Sequence, residues 1–141
     1  MPEMTVPRPV LRSFRVLALN GQNKGDGASA KMQLTVQQDI EVGLAVPSVA
    51  GAPLMAGVII KLQATATNEK DANDVATFGG EYEAKFFYST DVTEAVVTPL
   101  LDDHGYQYVL VAQAFPLAMT HFRHELQAMG LDARELPLGL E

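Results

Sequence analysis

Cysteine is absent from this sequence, which excludes disulfide bonds, thiolate metal sites and cysteine nucleophiles together. Positive charge is scarce, since 10 lysines and arginines stand against 17 aspartates and glutamates, for a net charge of -7. This balance opposes the phosphate backbone, so we expect no nucleic-acid partner and a preference for basic partners. No apolar run approaches the ~20 residues of a membrane helix, which predicts no membrane insertion.

The beginning of the chain also lacks the apolar stretch of a secretory signal. Residues 1–10 contain three prolines instead, and we expect a cytoplasmic protein. A hydrophobic fraction of 48% with 19% charged residues is typical of a folded chain. We therefore expect a single domain over residues 1–141, with residues 1–9 disordered and residues 131–141 forming a C-terminal tail.

Alternating apolar and polar side chains predict strands in the first ninety residues. The clearest strand covers residues 32–46, followed by residues 57–67 and residues 75–89, and a less regular strand covers residues 11–19. Each of two strands carries an apolar row on one of its faces. The rows are Leu34, Val36, Ile40, Val42, Leu44 and Val46 in the 32–46 strand, and Phe78, Tyr82, Phe86 and Tyr88 in the 75–89 strand. The polar tract between the last two strands is typical of a hairpin turn.

Helical spacing replaces alternation after residue 105. Apolar residues recur at steps of three and four, at Tyr108, Val111, Phe115, Met119, Phe122, Leu126 and Met129. Gly130 suits the end of this helix, whereas Pro116 predicts that the helix either begins near it or kinks there. A shorter helix is expected over residues 91–101. Four strands followed by one or two helices predict an α+β fold with an antiparallel sheet.

Few residues suggest chemistry. His121 and His124 lie at helical spacing, but the H-E-x-x-H pattern is missing, so a solvated helix face is favoured over a metal site. Asp103 and His104 are typical of a polar turn at a helix start. We expect no catalytic residue, no cofactor and no metal. The alternative is a small enzyme that uses His104 or His121 with a nearby carboxylate.

The apolar surface of the predicted elements exceeds what one small core requires. Aromatic side chains cover one face of a long strand, and a separate apolar stripe follows the helix. Such a surplus favours a subunit interface or a binding groove.

Two blocks of this sequence resemble the SecB export-chaperone family. Residues 59–67 and 77–89 resemble that family's central hairpin, including the glycine pair Gly79-Gly80. Residues 114–118 resemble its F-P-x-A helix start, and the glycine stop and Leu/Pro segment follow at residues 129–131 and 136–138. The resemblance extends over roughly residues 10 to 138.

This resemblance implies a four-stranded, Greek-key-like antiparallel sheet backed by helices, assembled as a homotetramer that is a dimer of dimers. It implies an ATP-independent holdase that binds non-native polypeptide in apolar grooves. The residues implied at the subunit interface are Phe78, Gly80, Tyr82 and Ala84. The residues that correspond to client-binding positions are Leu44, Val46, Leu54, Phe86, Tyr88, Phe122 and Leu126.

Two kinds of partner fit the resemblance. The export chaperones continue beyond the Leu/Pro segment into a second helix that helps contact the translocase ATPase, whereas this sequence ends at Glu141. The resemblance implies protein export with that ATPase, and the missing second helix counts against it. The alternative is a SecB-like chaperone dedicated to one partner, such as a toxin-antitoxin or mobile-element protein.

Overall fold

Four strands of 14 residues each form one antiparallel sheet in the computed structural model, which describes residues 6–24, 32–49, 51–68 and 74–131. The strands and the two helices that follow them are β1 (Val10–Asn23), β2 (Met32–Ala45), β3 (Met55–Asn68), β4 (Asp74–Phe87), α1 (Glu94–Leu101) and α2 (His104–Ala128). The order of elements confirms the predicted α+β class.

The strands lie in the order β1-β4-β3-β2, and every neighbouring pair is antiparallel. Strands β2, β3 and β4 are adjacent in sequence and in space, while β1 lies beside the last of them. This is a Greek-key arrangement, as predicted. It leaves β1 and β2 as the two edges of the sheet.

Strand β1 is longer than its sequence pattern predicts. The pattern predicts that the strand ends at residue 19, but it continues to Asn23 because Asn20 and Gly21 also pair with β4. Its register shifts after Leu11 and after Val16, and these irregularities interrupt the alternation on which the prediction rests. The strand therefore ends four residues later than predicted, and residues 25–31 lie outside the described chain.

The two central strands turn one face inward. Even-numbered residues from 56 to 66 in β3 and from 76 to 86 in β4 are buried, among them Val58, Ile60 and Leu62, whereas the odd-numbered residues point to the other face. Helix α2 packs on the even-numbered face, where Phe115, Phe122 and Leu126 join the same core. The core therefore lies between α2 and the middle of the sheet.

Both ends of α2 are satisfied by specific caps. The Asp103 carboxylate accepts a hydrogen bond from the Tyr106 backbone N–H at 3.1 Å, which fills an N-terminal donor. At the other end Gly130 has φ +85, its N–H donates to the Gln127 carbonyl, and the Leu131 N–H donates to the Leu126 carbonyl. This pair of bonds is a Schellman motif, and it confirms Gly130 as the helix stop.

Pro116 lies inside α2, 12 residues after the first. The expectation that the helix begins near this proline is therefore wrong. A proline removes one N–H from the helical ladder, and burial of the neighbouring Ala114, Phe115 and Ala118 against the sheet offsets that loss.

The segment before β1 is held by α2. The Tyr106 hydroxyl donates to the Pro7 carbonyl at 2.7 Å, and Pro9 is buried. Residues 1–5, which belong to the stretch expected to be disordered, lie outside the described chain. Of the expected tail the structure describes Leu131, which is buried. Among the described residues, no helix is long and apolar enough to cross a membrane.

Gly130 and Gly43 provide a matched test of the helix stop. We expect Gly130→Ala to lower the free energy of unfolding by about 1 kcal/mol, because alanine disfavours the left-handed conformation. In Gly43→Ala the added Cβ meets no atom within 4 Å, so stability should stay level or rise. Urea unfolding followed by circular dichroism measures both. Equal losses of unfolding free energy in the two variants would contradict the role of Gly130 as the helix stop.

Candidate functional site

Tyr82 occupies the centre of the face between sheet and helix, where it is fully buried. Its ring stacks on Phe14 of β1, with centroids 5.8 Å apart and planes 12° apart. Four residues before Tyr82 in β4, Phe78 packs on Phe122 of α2, with ring centroids 5.3 Å apart. These aromatic contacts fix the position of β1 and of α2 over β4.

Gly80 gives the Tyr82 ring its space. A Cβ on Gly80 would lie 2.8 to 3.0 Å from ring and hydroxyl atoms of Tyr82. Gly21 on β1 has the same relation to Phe78, since a Cβ there would lie 2.5 Å from the Phe78 ring. Both glycines therefore allow an aromatic ring to lie flat against the sheet.

A polar chain joins Tyr82 to α2. The Tyr82 hydroxyl and His121 Nδ1 are hydrogen-bonded at 2.9 Å, and His121 Nε2 lies 3.6 Å from Glu125 Oε1. Burial, followed by the nearby Glu125 carboxylate, raises the pKa of the Tyr82 hydroxyl well above its usual range. His121, expected on a solvated helix face, instead bridges the core and the surface.

A second polar chain ties the beginning of the protein to the sheet. The Tyr88 and Tyr106 hydroxyls are 2.7 Å apart, and Tyr106 donates to the Pro7 carbonyl. Because Tyr106 is the donor to Pro7, its oxygen accepts the Tyr88 proton. Burial, together with this bond, raises the pKa of the Tyr88 hydroxyl above its usual range.

The four residues expected at a subunit interface lie beneath α2. Phe78, Gly80, Tyr82 and Ala84 share the helix-facing side of β4, and all four are buried within the chain. A charged substitution at Tyr82 would therefore disrupt the fold before it tested any assembly.

The seven expected client-binding residues divide into two groups. Five lie in the core between sheet and helix: Leu54, Phe86, Tyr88, Phe122 and Leu126. The other two are accessible, since Leu44 on β2 is half-buried and Val46 is 54% exposed just after that strand. In this arrangement the five buried residues shape the core, and the two accessible ones can touch another molecule.

Leu44 belongs to a longer apolar row that the sequence pattern already contains. We call it the β2 row: Leu34, Val36, Ile40, Val42 and Leu44, all half-buried on the helix-facing side of the edge strand. Exposed Val46 and Val49 continue it into the connection to β3. The alternation of residues 32–46 predicts this face, but it does not show that α2 stops short of it.

Strand β1 carries a similar open flank on the other side of α2. Phe14 is half-buried against Tyr82, whereas Val16 and Leu19 on the same face are exposed. Apolar surface therefore remains open along both edges of the sheet.

No group of three or more histidines, aspartates or glutamates lies close enough to hold a metal ion in the part of the chain that the structure describes. His104 is exposed at the start of α2. His121 contacts a fully buried hydroxyl and a carboxylate of its own helix. The contact with Tyr82 is of the kind that orients a helix on a sheet.

Comparison with known proteins supports the fold. No protein-family model matches this sequence, and no curated protein matches it. Among solved structures, the fold is similar to that of the Mycobacterium tuberculosis SecB-like chaperone Rv1957, in complex with a ChAD peptide from the HigA1 antitoxin Rv1956. The TM-score is 0.55 at 21% identity, over 95% of this chain and 89% of that chain. The chain thus has a SecB-like fold, as the resemblance implied.

The raised pKa values of two buried tyrosines predict how stability depends on pH. Tyr82 and Tyr88 keep their protons in the folded chain at pH values where an unfolded tyrosine, with a pKa of about 10, loses its own. Above about pH 10 the folded state therefore binds more protons, and stability should fall as pH rises. Tyr82→Phe and Tyr88→Phe should each flatten this decline.

The measurement is the free energy of unfolding in urea at several pH values between 9 and 11. Tyr108→Phe is the matched control, because the Tyr108 side chain is 53% exposed. Its slope should equal that of the parent protein. A parent whose stability does not change over this range would show that neither hydroxyl is coupled to folding.

Proposed function

We propose that this protein is a holdase chaperone that binds unfolded or extended polypeptide along open apolar surface, without ATP. The observation that carries the proposal is the β2 row, which stays half-open beside α2 and continues into exposed Val46 and Val49. The SecB-like fold supports it, since the similar structure is that of a chaperone with a bound peptide. We further propose that the protein works in the cytoplasm and is not an enzyme.

Burial of apolar surface can drive this binding. Each Å² of apolar area removed from water contributes about 25 cal/mol, so a client that covers several side chains of the row gains binding energy without nucleotide hydrolysis. The row lies on an edge strand, whose outer backbone groups face away from β3. An extended client can therefore combine apolar contacts with main-chain hydrogen bonds.

A dedicated partner is the second candidate. The similar chaperone Rv1957 is bound to a peptide from an antitoxin, which favours a single preferred client over broad binding. Protein export with a translocase ATPase is a third possible role for the same surface. Pull-down from the native host separates these roles, because a dedicated chaperone should retain one protein in excess over all others.

We also propose assembly as a dimer of dimers. The exposed side chains of Val16, Leu17 and Leu19 on the edge strand β1 provide an apolar surface for a second copy. Phe78, Gly80, Tyr82 and Ala84 would then support this interface from beneath α2 rather than lie on its surface.

The holdase proposal predicts nucleotide-independent suppression of aggregation. The protein in several-fold excess should reduce light scattering from a chemically denatured model client, with or without ATP. Val46→Ser with Val49→Ser should raise the concentration required for half suppression about threefold or more, because exposed apolar contact area is lost.

Leu117→Ser is the matched control, since Leu117 is 42% exposed on α2, away from the β2 row. Its half-suppression concentration should match that of the parent protein. Unchanged light scattering at several-fold excess of the parent would refute the proposed function.

The assembly proposal predicts a native mass close to four times that of the chain. Multi-angle light scattering after size exclusion measures this mass directly. Leu17→Glu with Leu19→Glu should reduce it to that of a smaller species, because carboxylates at an apolar interface are costly. Val96→Glu, at a comparably exposed site on α1, should leave the mass unchanged. A parent protein that is strictly monomeric would contradict this part of the proposal.

A further inference from the structure

Cations gather at the end of the sheet where β1 begins and β4 ends. Of the ten lysines and arginines in the chain, Arg8, Arg12, Arg15 and Lys85 lie in this region. Arg15 Nε lies 2.8 Å from Glu83 Oε1 and Lys85 Nζ lies 3.8 Å from the same oxygen. One carboxylate thus faces two cations, although acidic residues dominate the chain.

Arg8 and Arg12 have no carboxylate within 4 Å among the described residues. Both side chains line an open cavity of about 540 Å³. Its apolar wall consists of Val10, Pro53 and Phe87, and no acidic residue contributes to the lining. A volume of this size is within the range of ligand sites in proteins.

The apolar wall extends across the sheet. Val10 pairs with Phe87, Phe87 pairs with Met55, and Met55 pairs with Ala45, so four apolar residues form one row over all four strands. Val10 is 57% exposed at the edge. Pro53 belongs to the β2–β3 connection, which also carries Val46 and Val49. The row from Val10 to Ala45 lies on the face of the sheet opposite α2, so the cavity meets the proposed client surface at the β2–β3 connection and not along the β2 row.

We propose that this cavity binds an acidic, apolar peptide segment of the client, with carboxylates between Arg8 and Arg12 and apolar side chains on Val10 and Phe87. The inference rests on the proposed function, because it names the class of segment that the chaperone prefers. Charge complementarity carries it: the chain as a whole repels acidic molecules, and this cavity is lined by two guanidinium groups that have no carboxylate within 4 Å among the described residues. A guanidinium group can also bind a carboxylate through two parallel hydrogen bonds. Such a pair is more specific than a diffuse electrostatic attraction.

This preference is the opposite of what the net charge predicts. A net charge of -7 favours basic clients over the whole surface, whereas the local arginines favour acidic ones at this position. Local charge decides the outcome at contact distance, since exposed charges are screened beyond about 8 Å at physiological salt.

Two labelled peptides test the preference by fluorescence anisotropy. They share one apolar, aromatic-containing sequence and differ in their flanks, which carry two glutamates in one peptide and two lysines in the other. The protein should bind the glutamate peptide about fivefold more tightly. Arg8→Gln with Arg12→Gln should remove most of that difference, as expected for the loss of exposed ion pairs.

Lys24→Gln with Lys61→Gln is the matched control, because it makes the same change in net charge outside the cavity. It should keep the preference for the glutamate peptide. Val10→Ser should weaken both peptides about equally, since the apolar wall serves either flank. Raising the salt concentration should weaken the glutamate peptide more than the lysine peptide.

Tighter binding of the lysine peptide would overturn the inference, and so would equal loss of preference in the two double variants. These results are distinguishable from failure of the proposed function. A protein that suppresses aggregation without preferring the glutamate peptide refutes the inference alone. A protein that prefers the glutamate peptide through Arg8 and Arg12 but does not suppress aggregation refutes the broad holdase function alone.

Discussion

The packing of α2 on β3 and β4 determines which apolar side chains of this protein are closed to water. A helix with its side chains is about 10 Å wide, whereas strands spaced at about 4.8 Å make a four-stranded sheet wider than that. One helix therefore seals the two central strands. Apolar residues on the edge strands, such as Val36 and Val16, stay partly open although they share the same face. The open surface is a consequence of element sizes rather than of any single residue.

Two hydroxyl-centred contacts keep this arrangement in one register. Tyr82 meets His121 in the second half of α2, and Tyr88 meets Tyr106 near its beginning. Aromatic packing alone tolerates small sliding movements, but hydrogen bonds at two points along the helix do not. The edges of the sheet can thus remain open without loss of a defined core. A surface that receives other chains requires such a rigid support.

Sequence patterns predicted the elements well, but they do not show which apolar residues stay accessible. Alternation in β2 and helical spacing after residue 105 depend on local geometry, so the strand and the helix could both be predicted from the sequence. Alternation also placed Phe86 and Leu44 on inward-facing rows, but it does not say which row a helix covers. Coverage depends on sheet order, and sheet order depends on pairing between distant strands. The resemblance implied a client-binding position at Phe86, and in this chain Phe86 lies in the core.

Net charge also says nothing about where the charges lie. A sum over the chain cannot show that Arg8 and Arg12 converge on one cavity, since pairing of β1 with the end of β4 brings them beside Phe87. Pro116 shows the reverse case, because a local rule allowed the helix to begin there, whereas α2 begins 12 residues earlier and continues through it. Gly130 follows its local rule, since it adopts the left-handed conformation directly after α2.

The pairing of β1 with β4 also has a consequence for the time course of folding. Residues 24 to 73 separate these two strands in sequence, whereas β2, β3 and β4 are joined by short connections. Short loops close first, so the three-stranded meander can form while β1 still lacks a neighbour. During synthesis, β1 leaves the ribosome long before β4, the strand with which it pairs. Until then, this chain is itself an unfolded polypeptide with an exposed apolar strand.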